Sequence, residues 1–149
     1  MSRPKVFIID DDPDICTIVR LAFTPLYDVE EETNGRRALT RLDEVRPDVV
    51  ICDLIMPGMD GLTLTERVRA ARPDVLLVII TAATKRTDLP DAFWRIGTPA
   101  DLFFTKPFDP QLLVARVHEL RVQRLEAKRQ AAQKPYGPLP PPAKVEPEE

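Results

Sequence analysis

Short, continuous apolar runs alternate along the chain with stretches where apolar residues recur every three or four positions. "KVFII" (5–9), "DVVIC" (48–52), "VLLVII" (75–80) and "LFF" (102–104) have the length and composition of buried strands. "YDVEEE" (27–32) is a poorer, very acidic candidate, so as a strand it must sit at an edge with one face in water. Between these runs lie helical patterns. Ile15, Ile18, Val19, Ala22 and Phe23 follow Asp12-Pro13, a cap and a first-turn proline. Ala38, Leu39, Leu42 and Val45 follow Asn34-Gly35, and Leu64, Val68 and Ala71 follow Asp60-Gly61. "DLPDAFWRIG" (88–97) reads as a short helix, with Pro90 near its start and Gly97 past its end. A long helix runs from Asp109 to about Gln133. Five strands alternating with five helices predict an α/β fold: a parallel sheet covered on both faces and joined by right-handed crossovers.

Composition narrows this picture a little. The 149 residues suit one domain, 44% hydrophobic and 30% charged, with a real core. A net charge of −3 leaves the partners open. No apolar run approaches membrane-spanning length, and "MSRPKVFII" lacks the features of a signal peptide, so a cytoplasmic location is expected. Cys16 and Cys52 lie inside apolar segments and are expected as buried, reduced thiols. Charge is unevenly distributed: residues 1–115 are net −5, whereas residues 116–134 carry six Lys/Arg against two Glu. Residues 121–134 therefore read as a basic extension of the last helix, a solvated face or a docking surface for an acidic partner rather than for nucleic acid. His118 on this helix reads as a surface residue. Residues 135–149, with six prolines and three glutamates, read as a disordered, proline-rich tail.

The chemistry collects where the apolar runs end. The first run ends in Asp10 and Asp11, the second in Asp53, the third in Thr81 and the last in Thr105-Lys106. In a parallel sheet these ends share one rim, and open α/β sheets bind ligands there, where strand order reverses. Neighbouring strands are about 4.8 Å apart, so a lysine stem can reach across an intervening strand. Crowded carboxylates raise one another's pKa. A hard divalent cation relieves that repulsion, and an oxygen-rich site with few protein ligands suits Mg²⁺. With Mg²⁺ and Lys106 present, Asp53 can stay ionised and act as a nucleophile toward phosphorus.

"VFIIDDDPDI", "PDVVICDLIMPGMDGL", "VIITAAT" and "LFFTKPFD", at these separations, resemble the receiver domain of bacterial response regulators, the CheY-like phosphoacceptors of two-component signalling. The resemblance covers about residues 4–120 and sets a receiver domain at 1–120. It implies a flavodoxin-like, doubly wound sheet in strand order 2-1-3-4-5, here with an extended C-terminal helix. It implies that Asp53 accepts a phosphoryl group from a histidine kinase or phosphotransfer protein. Asp10, Asp11 and Asp53 match the residues that hold Mg²⁺, together with the main-chain carbonyl of Ile55. Thr81 matches the switch hydroxyl, with the small Ala82 beside it, Lys106 the phosphate-binding lysine, and Phe103 the aromatic that rotates on activation. Lys106–Pro107 matches a cis bond. The protein is then a signalling switch rather than a turnover enzyme, whose output surface comprises the fourth helix, the fifth strand and the fifth helix. Two features depart from the pattern: the stretch from Thr81 to Lys106 is long, and Trp94 lies on its helix. A haloacid-dehalogenase-like phosphatase would need an acid where Ile55 stands. About 30 residues follow residue 119, too few for a DNA-binding output domain, so a stand-alone regulator acting through protein contacts is expected. A fragment of a larger regulator and a pseudo-receiver that binds partners without phosphorylation remain as alternatives, and pairing of two copies stays open.

Overall fold

The structure is a computed structural model that describes residues 3–82 and 99–133. The expected helix over 88–97 with Trp94, and the tail over 135–149, lie outside the described residues. The described residues divide into two units, one ending at Val117 and one beginning at His118.

In chain order the elements are β1 (Lys5–Ile9), α1 (Pro13–Phe23), β2 (Asp28–Glu32), α2 (Gly35–Val45), β3 (Val49–Cys52), β4 (Ile55–Met56), β5 (Met59–Asp60), α3 (Gly61–Ala71), β6 (Leu76–Thr81), β7 (Leu102–Thr105) and α4 (Pro110–Gln133). β2-β1-β3-β6-β7 form a five-stranded sheet in which every pair is parallel. With the two-residue ribbon β4–β5 set aside, this is the expected order 2-1-3-4-5. The acidic strand β2 is at the edge, paired only with β1.

The local signals explain the helix starts. The Asp12 side chain accepts from Asp14 N, Asn34 from Arg37 N, and Asp60 from Leu62 N. Each satisfies a first-turn donor that the helix itself cannot. Gly61 is dictated by close approach: a Cβ there would lie 2.5 Å from Leu54 Cα.

The period of two along each strand divides the core. Phe7 and Ile9, Val50 and Cys52, and Leu77 and Ile79 point to one face, where they cluster with Ala38 and Leu42 of α2 and Leu64 and Val68 of α3. The intervening residues Val6, Ile8, Val49, Ile51, Val78 and Ile80 are also fully buried. Right-handed connections place α1 over that second face, because β1 to β2 and β2 to β3 run in opposite directions across the sheet. Cys16, Val19 and Phe23 are the buried residues of α1, and Leu113 and Val117 those of α4. α1 departs from the expected apolar stripe: Cys16 takes a core position and Ile18 is 40% exposed. In the second unit, described residues 118–133 are helical; His118, Val122 and Leu125 are exposed. No helix among the described residues is long and apolar enough to cross a membrane.

Candidate functional site

Three main-chain hydrogen bonds carry the sheet ladder one step past its strands: Asp10 N to Glu32 O (3.1 Å), Asp53 N to Ile9 O (3.0 Å) and Lys106 N to Thr81 O (2.8 Å). The residues that leave the sheet at its C-terminal rim are thus held by the sheet itself. β1 lies between β2 and β3, so Asp10 and Asp53 flank the point where the crossovers part.

The side chains converge there. Lys106 Nζ lies 2.9 Å from Asp10 Oδ2 and 3.0 Å from Asp53 Oδ2. Asp10 is fully buried and Asp53 is 4% exposed, whereas Asp11 faces solvent. Main-chain donors hold the other oxygens: Asp12 N donates to Asp10 Oδ1 (2.9 Å), and Ile55 N to Asp53 Oδ1 (2.9 Å). Burial pushes the Asp10 carboxyl above its ordinary 3.8, and the Asp53 charge adds to this; pairing with the Lys106 ammonium and the hydrogen bond from Asp12 N oppose it without cancelling it. For Lys106, burial works to lower the pKa, but pairing with the Asp10 and Asp53 carboxylates outweighs it, so the ammonium is held above its usual range. Cys16 and Cys52 are both buried and free, as expected. Burial raises their thiols to about 11 and about 12, with neighbouring acids adding to the effect, so both are unreactive as nucleophiles.

One carboxylate oxygen from each of Asp10, Asp11 and Asp53 can be chosen so that all three lie within 4.8 Å of one another. Asp10 Oδ2 is buried and, although within ion-pair distance of Lys106, makes no hydrogen bond of normal geometry. A lone ammonium thus leaves a buried anionic oxygen incompletely satisfied. An all-oxygen set with an orphaned lone pair fits a hard cation such as Mg²⁺.

The remaining expected residues surround this centre. Thr81 ends β6, is fully buried, and stands in register with Thr105, directly before Lys106. Ala82 is exposed. Phe103, on β7 beside Ile79, is 39% exposed. The Lys106–Pro107 bond is cis. Ile55 lies in the β4–β5 ribbon that leaves Asp53.

A residue with no sequence signal anchors the opposite, N-terminal end of β6 and β7. Arg69 of α3 donates to Asp101 Oδ2 (2.8 Å) and to the carbonyls of Pro73 (2.9 Å), Val75 (2.7 Å) and Pro99 (2.9 Å). Asp101 Oδ2 also accepts from Leu77 N (2.9 Å), so one guanidinium fixes the start of β7, the strand that leads to Lys106.

Comparison with known proteins places this arrangement. The response regulator receiver domain family matches residues 6–118. The DNA-binding response regulator MtrA of Mycolicibacterium smegmatis is 36% identical over 125 residues, covering 83% of this chain and 53% of that protein. RpaA of Synechocystis, a DNA-binding dual master transcriptional regulator, is 33% identical over 132 residues, covering 87% and 53%. The chain spans about half the length of these curated relatives. A CheY-like receiver domain from Methanospirillum hungatei superposes with a TM-score of 0.75, covering 85% of this chain and 99% of that one; at 20% identity it speaks to fold alone. The Thermotoga maritima response regulator TrrA, solved in complex with Mg²⁺–BeF, is 28% identical with a TM-score of 0.66, covering 78% and 98%. Family profile, strand order and the acidic rim agree, and the chain belongs to the response regulator receiver domain family.

Proposed function

We propose that Asp53 is the phosphoacceptor of a signalling switch, with a histidine kinase or phosphotransfer protein as donor. The observation that supports this best is Lys106 Nζ at 2.9–3.0 Å from both Asp10 and Asp53, with Asp11 beside them. Asp10, Asp11, Asp53 and the Ile55 carbonyl would hold Mg²⁺. When bound, that ion supplies positive charge to the phosphoryl oxygens. The ionised Asp53 attacks phosphorus, an O–P bond forms, the P–N bond to the donor imidazole breaks, and the imidazole leaves with the electron pair. Lys106 stays charged throughout, since its pKa is raised, and pairs with the transferred group.

The phosphoryl group replaces a small anion with a larger one. Thr81, at the end of β6, would donate its hydroxyl to the new oxygens, while exposed Ala82 leaves room for them. Phe103 would turn inward from its half-exposed position, changing the surface on β7 and its neighbours. The receiver domain is assigned to residues 1–120, the basic extension to 121–134 and the proline-rich tail to 135–149.

The curated relatives are DNA-binding regulators, and the matched region spans 53% of each. That favours a receiver working as part of a larger regulator over the expected stand-alone switch, and weakens the expectation that nucleic acid plays no part. Incubation with Mg²⁺ and a small phosphodonor, followed by intact-mass measurement, tests the phosphoacceptor. One phosphoryl group is expected on the wild type and none on Asp53→Asn. Equal uptake by the variant would refute the assignment, and no uptake by the wild type would favour the pseudo-receiver reading.

A further inference from the structure

A groove of about 560 Å³ opens between α2 and α3, over the β4–β5 ribbon, and no part of the proposed phosphoacceptor chemistry uses it. Its size falls within the range of small-molecule sites, roughly 300–1,000 Å³. Arg36 of α2 and Arg67 of α3 line it from opposite helices. Neither makes a side-chain hydrogen bond or ion pair among the described residues, whereas Arg20, Arg41 and Arg69 are all paired. The groove's one carboxylate, Asp60, is committed to the start of α3, accepting from Leu62 N (3.2 Å) and Thr63 Oγ1 (3.2 Å). The lining therefore carries a net positive charge with two unpaired guanidinium forks.

Its floor is apolar. Leu39 and Met59 line the groove and pack against the core beneath it. Gly58, at φ 82°, has no atom within 4 Å of where a Cβ would stand, so that side is open. A guanidinium fork matches phosphate oxygens in a bidentate manner. Two such forks suit a phosphate monoester dianion better than a singly charged carboxylate.

We propose that this groove binds a small molecule of nucleotide size, its phosphoryl group held between Arg36 and Arg67 and its flat apolar part resting on Leu39 and Met59. The site is distinct from the rim around Asp53 and Lys106 and does not depend on phosphorylation there.

Adenosine monophosphate, adenosine and inorganic phosphate, each titrated into the full chain in magnesium-free buffer and followed by amide chemical shifts, provide the test. The monophosphate is expected to saturate, to bind more tightly than either of its parts, and to shift Arg36, Leu39, Met59 and Arg67. Arg36→Ala/Arg67→Ala, at exposed helix positions where alanine preserves the fold, is expected to weaken binding by at least about tenfold. The proposal fails if the monophosphate does not saturate, binds no more tightly than its parts, is unaffected by the double substitution, or shifts residues around Lys106 instead.

Discussion

Two acidic clusters lie within one sheet, and they behave differently. Glu30, Glu31 and Glu32 crowd the edge strand β2, while Asp10, Asp11 and Asp53 crowd the C-terminal rim. The glutamates are answered by arginine. Arg41 reaches Glu30 and Glu32, each at 3.4 Å, and Arg20 reaches Glu31 at 3.2 Å. Arg41 also lies over the Phe7 ring, 5.4 Å from its centroid, so its stem and its charge are both used. Among the described residues the aspartates have one ammonium between two buried carboxylates, and one oxygen remains without a proper hydrogen bond. Density of acid therefore does not distinguish the proposed cation site from a solvated edge. What distinguishes them is whether the protein supplies enough positive charge of its own at the place where the carboxylates are buried.

The contrast can be broken by substitution. Lys106→Met removes the ammonium that pairs with both buried carboxylates and leaves Asp10 and Asp53 facing each other. Chemical denaturation without metal is expected to show a loss of about 2–3 kcal/mol at neutral pH, toward the low end for a broken buried pair because Lys106 keeps some solvent contact. Added Mg²⁺ should recover part of it. A smaller effect of opposite sign is expected for Asp10→Asn. Because the folded-state pKa of Asp10 is raised, its contribution is fully present below the ordinary 3.8 and is lost as pH rises through the folded value. In metal-free buffer the variant should thus be the more stable at neutral pH, and the gap should close as pH falls toward 3.8. The smallest effect belongs to the edge: Glu30→Gln should change stability by less than about 0.5 kcal/mol, since the Glu30 side chain is nearly half exposed and Arg41 keeps Glu32 as a partner. A loss from Glu30→Gln as large as that from Lys106→Met would erase the distinction.

Much of this was legible before any coordinates. Asp10, Asp53 and Lys106 each follow a continuous apolar run, and parallel strands leave such residues no choice but a common rim. The acidic run at 28–32 could be assigned to an edge because a central strand could not solvate it. The rest depended on choices that periodicity does not make. Cys16 and Ile18 are both plausible on the buried stripe of α1, and only packing decided for Cys16. Arg69 is one of many helix arginines in the sequence. Its role comes from carbonyls and a carboxylate as far as 32 residues away, whose positions depend on the completed sheet. The requirement for Gly61 likewise arises from the Leu54 main chain and leaves no mark on local propensity.

Amide chemical shifts during a Mg²⁺ titration of the wild type and Asp11→Asn test the distinction between the clusters most directly. Saturable shifts are predicted at Asp11, Asp53, Ile55 and Lys106, with Glu30 and Glu31 unmoved, and weakened binding is predicted in the variant. Shifts of equal size along Glu30 and Glu31, or an affinity unchanged by Asp11→Asn, would contradict the account.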